Sequence, residues 1–447
     1  MQVIVTTDFF GSFWPHRTSY GSLPGAHSLI DTVERMRAED PATVWIDTGD
    51  FAQGGPLAPI GTPTTVFEAV GRELPIDVAS LGNHELDWGI KGLHDGLGHL
   101  GFPVLCANAD LGLESTAVLE TSDGEVGIVG LTTPALSELH DWFDQPQPSA
   151  AETALEQAER LRSSGVKYVI VALHDGVDFA FRPEGIQPDY TRMAAFCRHI
   201  SGAVDAVAGG HTLGRWIGDL EGVAFLQPWA YGAEIGVARL TPDGVRDVKG
   251  VVPAPGRPWT GFGSAMFDAD LDDPIATLDL PVKAHPGFDK TLPDLVASAI
   301  RSTTGADVGL CFAQELQTSQ PPIDGAIAFL PAGPVTRSEI LRLFPHQRGD
   351  SYGELSIVAL DIGELDRAVD SAAGSVGAVD NAINPAVWGP PSRSGQSQRA
   401  TVRVAMGHQW VRRLEARLQR PLEVESTGLL LREAVEIFAA DGGFSSA

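Results

Sequence analysis

Short apolar runs alternate with amphipathic stretches along the first half of the chain. The apolar runs have the length of strands, whereas the amphipathic stretches carry apolar residues at helical spacing, as Leu29, Val33 and Met36 do. The pattern predicts strands at residues 3–7, 43–46, 78–81, 168–173 and 204–208, helices at 25–37, 64–73 and 151–162, and short strands between 223 and 252. Such alternation predicts an α/β core.

A change of composition after residue 252 predicts a second domain. Three prolines fall within residues 253–258, and the segment that follows is rich in Asp and Pro. We therefore place a first domain at 1–255, a linker at 256–286 and a second domain at 287–447. For the second domain the pattern predicts a helix at 292–303, strands at 306–312, 354–360 and 401–405, and a last helix at 427–439.

Composition limits the classes of binding partner and indicates a cellular compartment. The 447 residues are 43% hydrophobic and carry a net charge of −27, which argues against nucleic acid and anionic membrane surfaces as partners. No apolar stretch is long enough to span a bilayer. Residues 1–5 enter the first strand directly, so no signal peptide is expected. Cys106, Cys197 and Cys311 are isolated, so we expect no disulfides and a cytoplasmic location. The oligomeric state stays open.

Four polar residues stand where apolar runs end. Asp50 closes the run 45–50, and His174 closes the run 169–174. Asn83 and His211 lie in the glycine-containing segments 82–85 and 209–212. Open α/β sheets form their sites at the carboxyl ends of strands, and a carboxylate, an amide and two imidazoles suit zinc, manganese or iron. The sequence therefore predicts one divalent transition metal. A polar loop edge without a metal is the alternative.

The order of these segments resembles that of the calcineurin-like metallophosphoesterases, in particular the two-domain 5′-nucleotidase group. Residues 81–87, Leu-Gly-Asn-His-Glu-Leu-Asp, match the family's most specific motif. Residues 6–11 resemble its opening segment, and 102–108 and 126–132 resemble its scaffold strands. The resemblance covers most of the chain. It implies a four-layer αββα sandwich followed by a smaller α+β domain of the 5′-nucleotidase type.

The chain departs from this family at one of two metal positions. The resemblance assigns Asp50, Asn83, His174 and His211 to one metal, and all four are present. The other metal normally takes two further histidines, but those positions hold Phe10 and Leu213, which offer no lone pair. Asp8 remains and either approaches the metal or accepts a hydrogen bond. We therefore predict that the second position is lost or severely weakened.

His84 and Asp87 form a second constellation. The resemblance implies that His84 contacts the phosphoryl group and that Asp87 orients its ring. A carboxylate paired with an imidazole favours the imidazolium, which can donate to developing negative charge. The alternative is a structural histidine at a tight turn.

Several further residues are candidates to bind substrate. Arg215 is a candidate cation, together with His16 and Arg17, because Arg can hold a phosphate through two hydrogen bonds. Gln227 lies in a segment that resembles one lining the family's site, where it either binds substrate or supports the metal ligands. Trp388, Arg393, His408 and Trp410 could build a pocket in the second domain. Packing for the Trp and ordinary exposure for the basic residues are the alternatives. In the family that the chain resembles, the nucleoside pocket has a Gly-Gly-Ile-Arg segment and a Gly-rich loop that carries an aromatic residue. Residues 313–316 and the residues after 405 do not match these two segments.

These features predict a metal-dependent hydrolase of a phosphate ester, specifically a phosphomonoesterase with an altered pocket that acts on a small phosphorylated molecule. Two other interpretations remain open. One is a catalytically inactive homologue that binds a small phosphorylated ligand or a protein. The other is a mononuclear-metal enzyme with different chemistry.

Overall fold

The computed structural model describes residues 1–18, 21–52, 61–140, 142–182, 185–254, 271, 273–283, 291–312, 329–344, 353–361, 363–365, 385–388 and 401–446. Contacts divide the chain into two compact units. The N-terminal unit comprises Met1–His16, Ser22–Leu57 and Gly61–Asp268. The C-terminal unit is mainly Ala269–Ala447, to which Arg17–Gly21 also belong.

The elements of the first part of the chain follow the predicted alternation. In chain order the strands are β1 (Gln2–Thr6), β2 (His16–Thr18), β3 (Gly21–Leu23), β4 (Val44–Asp47), β5 (Val78–Ser80), β6 (Val104–Leu105), β7 (Thr116–Thr121), β8 (Gly124–Leu131), β9 (Tyr168–Leu173), β10 (Asp178–Arg182), β11 (Gly185–Asp189), β12 (Ala206–Ala208), β13 (Trp216–Leu220), β14 (Val223–Gln227), β15 (Ile235–Thr241) and β16 (Gly244–Val251). The helices are α1 (Gly25–Glu39), α2 (Pro63–Glu73), α3 (Gly89–Leu97), α4 (Leu136–Leu139), α5 (Ala150–Ser163) and α6 (Thr191–Ile200), and His84–Leu86 form a 3₁₀ turn.

Two sheets form the centre of the N-terminal unit. Their strand orders are β16-β15-β1-β4-β5-β6 and β13-β14-β12-β9-β8-β7. In the first sheet β1, β4, β5 and β6 are parallel, and in the second β8, β9, β12 and β14 are parallel. Parallel strands buried on both faces are built from β-branched and other apolar residues, which explains the continuous apolar runs.

The layers are held together by apolar side chains on both faces of these sheets. Val5 and Ile46 of the first sheet pack against Ile128 and Ile170 of the second. On the other face of the second sheet, α5 and α6 cover Val129 and Val171. Helices α1 and α2 bury Leu29, Val33, Phe67 and Val70. The predicted four-layer αββα sandwich is confirmed.

The C-terminal unit is a smaller α+β fold. Its strands are β17 (Pro274–Leu278), β18 (Val282–Lys283), β19 (Val308–Phe312), β20 (Phe329–Leu330), β21 (Gly333–Thr336), β22 (Glu354–Asp361), β23 (Pro385–Trp388), β24 (Thr401–Gly407) and β25 (Val424–Leu430). Its helices are α7 (Thr291–Thr304), α8 (Arg337–Leu341), α9 (His408–Leu418) and α10 (Leu431–Ala440). The main sheet has the order β23-β19-β24-β22-β25, and α7 and α10 pack in one apolar cluster with it.

Two sequence expectations for this part of the chain need correction. The stretch assigned to a linker contains β17 and β18, which pair with β21 and β20. The Asp and Pro content of this stretch favoured a linker, although Ile275 and Thr277 are residues typical of strands. The last helix begins at Leu431 rather than at 427, because residues 424–430 pair with β22 and the Thr427 hydroxyl donates to the Leu355 carbonyl.

Helices α3 and α6 were not predicted. The sequence of α3, Gly-Ile-Lys-Gly-Leu-His-Asp-Gly-Leu, has three glycines, which are poor helix formers. Among the described residues, no helix is both long and apolar enough to cross a bilayer.

Candidate metal centre

Three strand ends and one turn bring the four predicted ligands together. Ligand atoms of Asp50, His174 and His211 all lie within 4.8 Å of one another. The Asn83 Oδ1 atom is 3.0 Å from His174 Nε2, and Asp50 Oδ2 is 3.1 Å from the same nitrogen. Asp50 and Asn83 are buried, and His174 is completely buried. The sequence therefore identified a group of side chains that the fold does assemble.

The tautomer of His174 suits a metal ligand. Its Nδ1 donates to the Thr48 carbonyl, 2.7 Å away, so Nε2 is the nitrogen that faces Asp50 and Asn83. In the absence of an ion, burial would lower the pKa of His174, but the Asp50 carboxylate raises it to about 10. A divalent ion among these atoms would balance the charge of the Asp50 carboxylate in place of the His174 proton.

Asp8 supplies a further carboxylate. Its Oδ2 accepts from the His211 backbone N–H at 2.9 Å and from the Thr7 hydroxyl. Its Oδ1 is buried without a hydrogen-bond partner, which is costly for a carboxylate unless a cation completes it. Burial, together with the Asp50 charge, raises the pKa of Asp8 to about 6 despite the opposing effect of His174. The donor set of Asp50, Asn83, His174 and His211, with Asp8 beside it, therefore fits a divalent ion.

Strained backbone accompanies these side chains. Asp8, Phe10, Asp50, His211 and Leu213 have positive φ angles between 48° and 70°, a region that costs non-glycine residues about 1–3 kcal/mol each. Their clustering at the ends of strands is typical of functional loops.

Two close approaches require glycine at this centre. A Cβ atom on Gly82 would lie 2.2 Å from the backbone nitrogen and Oδ1 of Asp50. A Cβ on Gly210 would lie 2.1 Å from the Thr7 hydroxyl. The glycines beside Asn83 and His211 thus allow the loops to approach Asp50 and Asp8.

The position next to Asp8 is apolar. The Phe10 ring lies 5.2 Å from the Tyr231 ring and 5.7 Å from the His84 ring, measured between centroids. Phe10 and Tyr231 belong to a buried cluster against which Leu213 and Trp229 pack. We refer to Phe10, Leu213, Trp229 and Tyr231 as the apolar wall. The side chains of Phe10 and Leu213 have no donor atoms to offer a metal.

His84 and Asp87 form a close pair. Asp87 Oδ2 is 2.8 Å from His84 Nδ1, while the His84 backbone N–H donates to Asp50 Oδ1 at 2.8 Å. Burial would lower the pKa of His84, but Asp87 and Asp50 raise it to about 9. His84 is therefore an imidazolium at neutral pH, whereas burial and the positive charge of His174 lower the pKa of His211 to about 3 and keep it neutral.

Two of the predicted substrate ligands have structural partners instead. Arg215 makes two hydrogen bonds, of 2.7 and 2.8 Å, to the buried carboxylate of Glu234. Gln227 is fully buried; it accepts from the Val177 N–H and donates to the Thr212 hydroxyl. It therefore fixes the loops that carry His174 and His211, and its amide is already used on both sides.

The other substrate candidates belong to the C-terminal unit or lie outside the described residues. Arg17 pairs there with Glu339 at 2.9 Å, and His408 Nδ1 lies 2.9 Å from the Ser356 hydroxyl. Trp388 lies on β23. Arg393 and the side chains of Trp388 and His16 lie outside the part that the structure describes.

Sequence reasoning missed the residues that hold the loops in place. Glu85 is fully buried and accepts hydrogen bonds from the backbone N–H groups of Asp50, Ala52 and Gly82. His140 donates through Nε2 to the Asn83 carbonyl at 2.9 Å. The acidic residue inside the 81–87 motif was a visible signal for Glu85, whereas His140 lies 57 positions from Asn83 and carried none.

Comparison with known proteins agrees with this geometry. Residues 1–215 match the sequence model of the family described as calcineurin-like phosphoesterase. The matched residues make up most of the N-terminal unit. They include His84 and the candidate ligands Asp50, Asn83, His174 and His211.

Relatives and solved structures extend the likeness. The 5′-nucleotidase of Bos taurus is 30% identical over 174 residues, 34% of this chain and 29% of that protein. The chain spans about a third or less of the length of the curated relatives it matches. Among solved structures, a 5′-nucleotidase precursor from Thermus thermophilus has a TM-score of 0.71 at 17% identity, covering 99% of this chain and 96% of that one. The sulfate thiohydrolase SoxB of Thermus thermophilus has a TM-score of 0.68 at 15% identity, covering 98% and 94%. These two structures support the two-domain fold.

Proposed function

We propose that this protein is a metal-dependent hydrolase of phosphate esters. The observation that carries the proposal is the convergence of Asp50, Asn83 and His174 donor atoms within about hydrogen-bond distance, beside the paired His84 and Asp87. The match of residues 1–215 to the calcineurin-like phosphoesterase family and the likeness to 5′-nucleotidases support the same reaction. A small phosphorylated molecule is the substrate we propose.

The finer proposal is one divalent ion per chain, of zinc, manganese or iron. When bound, such an ion supplies Lewis acidity and a site for activating water. Asp50 and Asn83 contribute oxygen ligands, and His174 and His211 contribute neutral nitrogens, a mixture suited to borderline metals. The apolar wall supports a single ion, since two ligand positions hold Phe10 and Leu213.

His84 and Asp87 supply a hydrogen-bond donor for the phosphoryl group, which the metal ligands do not. The carboxylate of Asp87 holds the His84 ring and its proton, so the ring can donate to negative charge that develops on a phosphoryl oxygen. Glu85 holds the Asp50 loop through the N–H groups of Asp50 and Ala52 and also accepts from the Gly82 N–H. The Thr48 carbonyl fixes the ring of His174. These contacts keep the ligands in place before substrate arrives.

The test combines metal analysis with a phosphate-ester screen. We expect one equivalent of metal per chain, with anomalous scattering placing it among Asp50, Asn83, His174 and His211, and turnover that chelation removes. Two fully occupied ions would contradict the single-ion proposal. A protein that holds metal but hydrolyses no ester in the screen would instead support an inactive homologue or different chemistry.

We also propose a cytoplasmic location. Cys106, Cys197 and Cys311 are all buried free thiols, which suits a reducing compartment. Fractionation of cells that express the protein with its own N-terminus would test this, and recovery in the medium would contradict it.

A further inference from the structure

The charges at the metal centre set a limit on the substrate. Asp8 and Asp50 are carboxylates, whereas Asn83, His174 and His211 serve as neutral ligands. One divalent ion balances the two carboxylates and leaves no excess positive charge.

The neighbouring cations of the described residues are also matched by acids. His84 is paired with Asp87 at 2.8 Å. Arg192 bonds to both Asp175 and Asp178, which follow His174 in sequence. Arg215 is held by Glu234 as described above. None of these ion pairs leaves a full positive charge for a bound anion, and the chain as a whole carries a net charge of −27.

The apolar wall determines what can lie on one side of the centre. Phe10 is two residues from Asp8, and its ring meets that of His84 edge to face at 72°. Leu213 is two residues from His211 and packs against the same cluster. Neither side chain can donate a hydrogen bond, so a charged oxygen directed at them would lose hydration without compensation.

Phosphate esters differ in the charge that they bring to such a site. Above neutral pH a phosphomonoester carries two negative charges, and a phosphodiester carries one. The second charge of a monoester would have to lie near the wall or near the carboxylates, and both are unfavourable. The substituted oxygen of a diester is uncharged, and its organic group can contact Phe10 and Leu213.

We propose, given the hydrolase function above, that this site selects monoanionic phosphodiesters over dianionic phosphomonoesters. The apolar wall is the determinant of that choice. The proposal narrows the phosphate-ester substrate to a diester, whereas the sequence led us to expect a monoester.

The experiment compares bis(p-nitrophenyl) phosphate with p-nitrophenyl phosphate on the metal-loaded protein above neutral pH. We expect kcat/KM to favour the diester. In the double variant Phe10→His/Leu213→His, imidazoles replace the wall beside Asp8 and can hold a second ion. We expect two ions per chain and a diester-to-monoester ratio that falls at least about tenfold, because two positive charges are added at close range. The matched control Phe10→Leu/Leu213→Phe keeps the wall apolar and without donor atoms, and it should keep one ion and the diester preference.

Binding measurements separate this inference from the proposed function. Calorimetry of the metal-loaded wild-type protein with dimethyl phosphate and with methyl phosphate needs no turnover and no variant. Tighter binding of dimethyl phosphate supports the inference even if neither ester is hydrolysed, in which case only the hydrolase proposal fails. Tighter binding of methyl phosphate, a monoester preference in turnover, or an unchanged ratio in a histidine variant with two ions would overturn it.

Discussion

Buried acids around the metal centre have different roles, and their pKa values separate them. Burial would raise the pKa of Asp50, but His174 and His84 lower it below its usual range, as suits a ligand that must be ionised. Burial raises the pKa of Glu85 to about 8 and that of Asp47 to about 7. Asp50 is thus set up to hold a cation, whereas Glu85 and Asp47 bind backbone and hydroxyl donors.

Asp47 gives a pH-dependent prediction. Its carboxylate accepts from the Thr6 hydroxyl at 2.6 Å and from the Gly49 N–H at 2.9 Å. Between its usual pKa of 3.8 and the folded value of about 7, the folded protein holds a proton that the unfolded chain releases. The free energy of unfolding should therefore fall as pH rises through this window, by about 1 kcal/mol per pH unit from this group.

The variant Asp47→Asn should remove that contribution. We expect urea unfolding of the metal-free protein to show that wild type loses stability relative to the variant from about pH 4 to pH 7, and that the difference is constant above this range. A difference that does not change with pH would mean that Asp47 is ionised throughout.

His84 gives a prediction about catalysis. Replacing His84 by Ala removes the donor to the phosphoryl group, so we expect turnover to fall by about 10²-fold or more, with metal content nearly unchanged. Replacing Asp50 by Ala should remove metal and activity together. Turnover and metal content of the two variants should be measured in parallel, and the exposed His99→Ala serves as a control for loss of an imidazole. Unaltered turnover in His84→Ala would show that this residue has no catalytic role.

At the scale of elements, the site depends on how loops after different strands are joined. The loop after β9 carries His174, and the loop after β12 carries His211. Gln227, the last residue of β14, bonds to Val177 of the first loop and Thr212 of the second, and the Thr212 hydroxyl donates to the Val177 carbonyl. A side chain at the end of a third strand therefore fixes the spacing of two ligands.

The variant Gln227→Ala should loosen both ligands at once. It leaves the buried Val177 N–H without an acceptor, which costs about 1–3 kcal/mol, and removes the amide that donates to the Thr212 hydroxyl. We expect metal affinity to fall by about 10- to 100-fold, as measured by competition with a chelator. The exposed Gln145→Ala is the control. Unchanged metal affinity together with a raised KM would return Gln227 to the substrate-binding role expected from the sequence.

At the scale of the whole molecule, the C-terminal unit has the 5′-nucleotidase-type architecture. The described residues after β24 do not form the aromatic loop on which a nucleoside base would be expected to stack. Helix α9 begins at His408, directly after β24, and Trp410 lies buried in an apolar cluster with Val358 and Leu414. Its ring therefore packs in the interior, as the alternative interpretation held. The other missing hallmark, at residues 313–316, lies outside the described part of the chain.

This arrangement predicts that nucleoside monophosphates are poor substrates. Without a platform for the base, adenosine monophosphate gains no remote binding energy over an ester that lacks the base. We expect its kcat/KM to be no higher than that of ribose 5-phosphate, measured in a panel of phosphate esters. If adenosine monophosphate were the best substrate of the panel, the inference from Trp410 and the missing segment would be wrong.

Local patterns in the sequence determined most of the architecture. Continuous apolar runs specify strands that are buried on both faces, and helical spacing specifies α1, α2, α5 and α7, so these elements follow from residues close together in the chain. The candidate ligands Asp50, Asn83, His174 and His211, which the fold brings together, were also visible in the sequence, because each stands at the end of such a run. The short, glycine-rich α3 and the strands hidden in a Pro-rich segment carried no comparable signal.

Only the tertiary structure decided how those residues act together. The orphaned Oδ1 of Asp8, the tautomer of His174 and the role of Gln227 depend on partners many positions away in sequence. Arg215 looked available as a cation until the fold placed it on Glu234. In the sequence, Phe10 and Leu213 showed only that two histidine ligands are replaced. The structure shows that these two side chains pack with Tyr231 in an apolar cluster beside the candidate metal centre. Side-chain partners across a sheet are set by the packing of strands, and no local pattern encodes them.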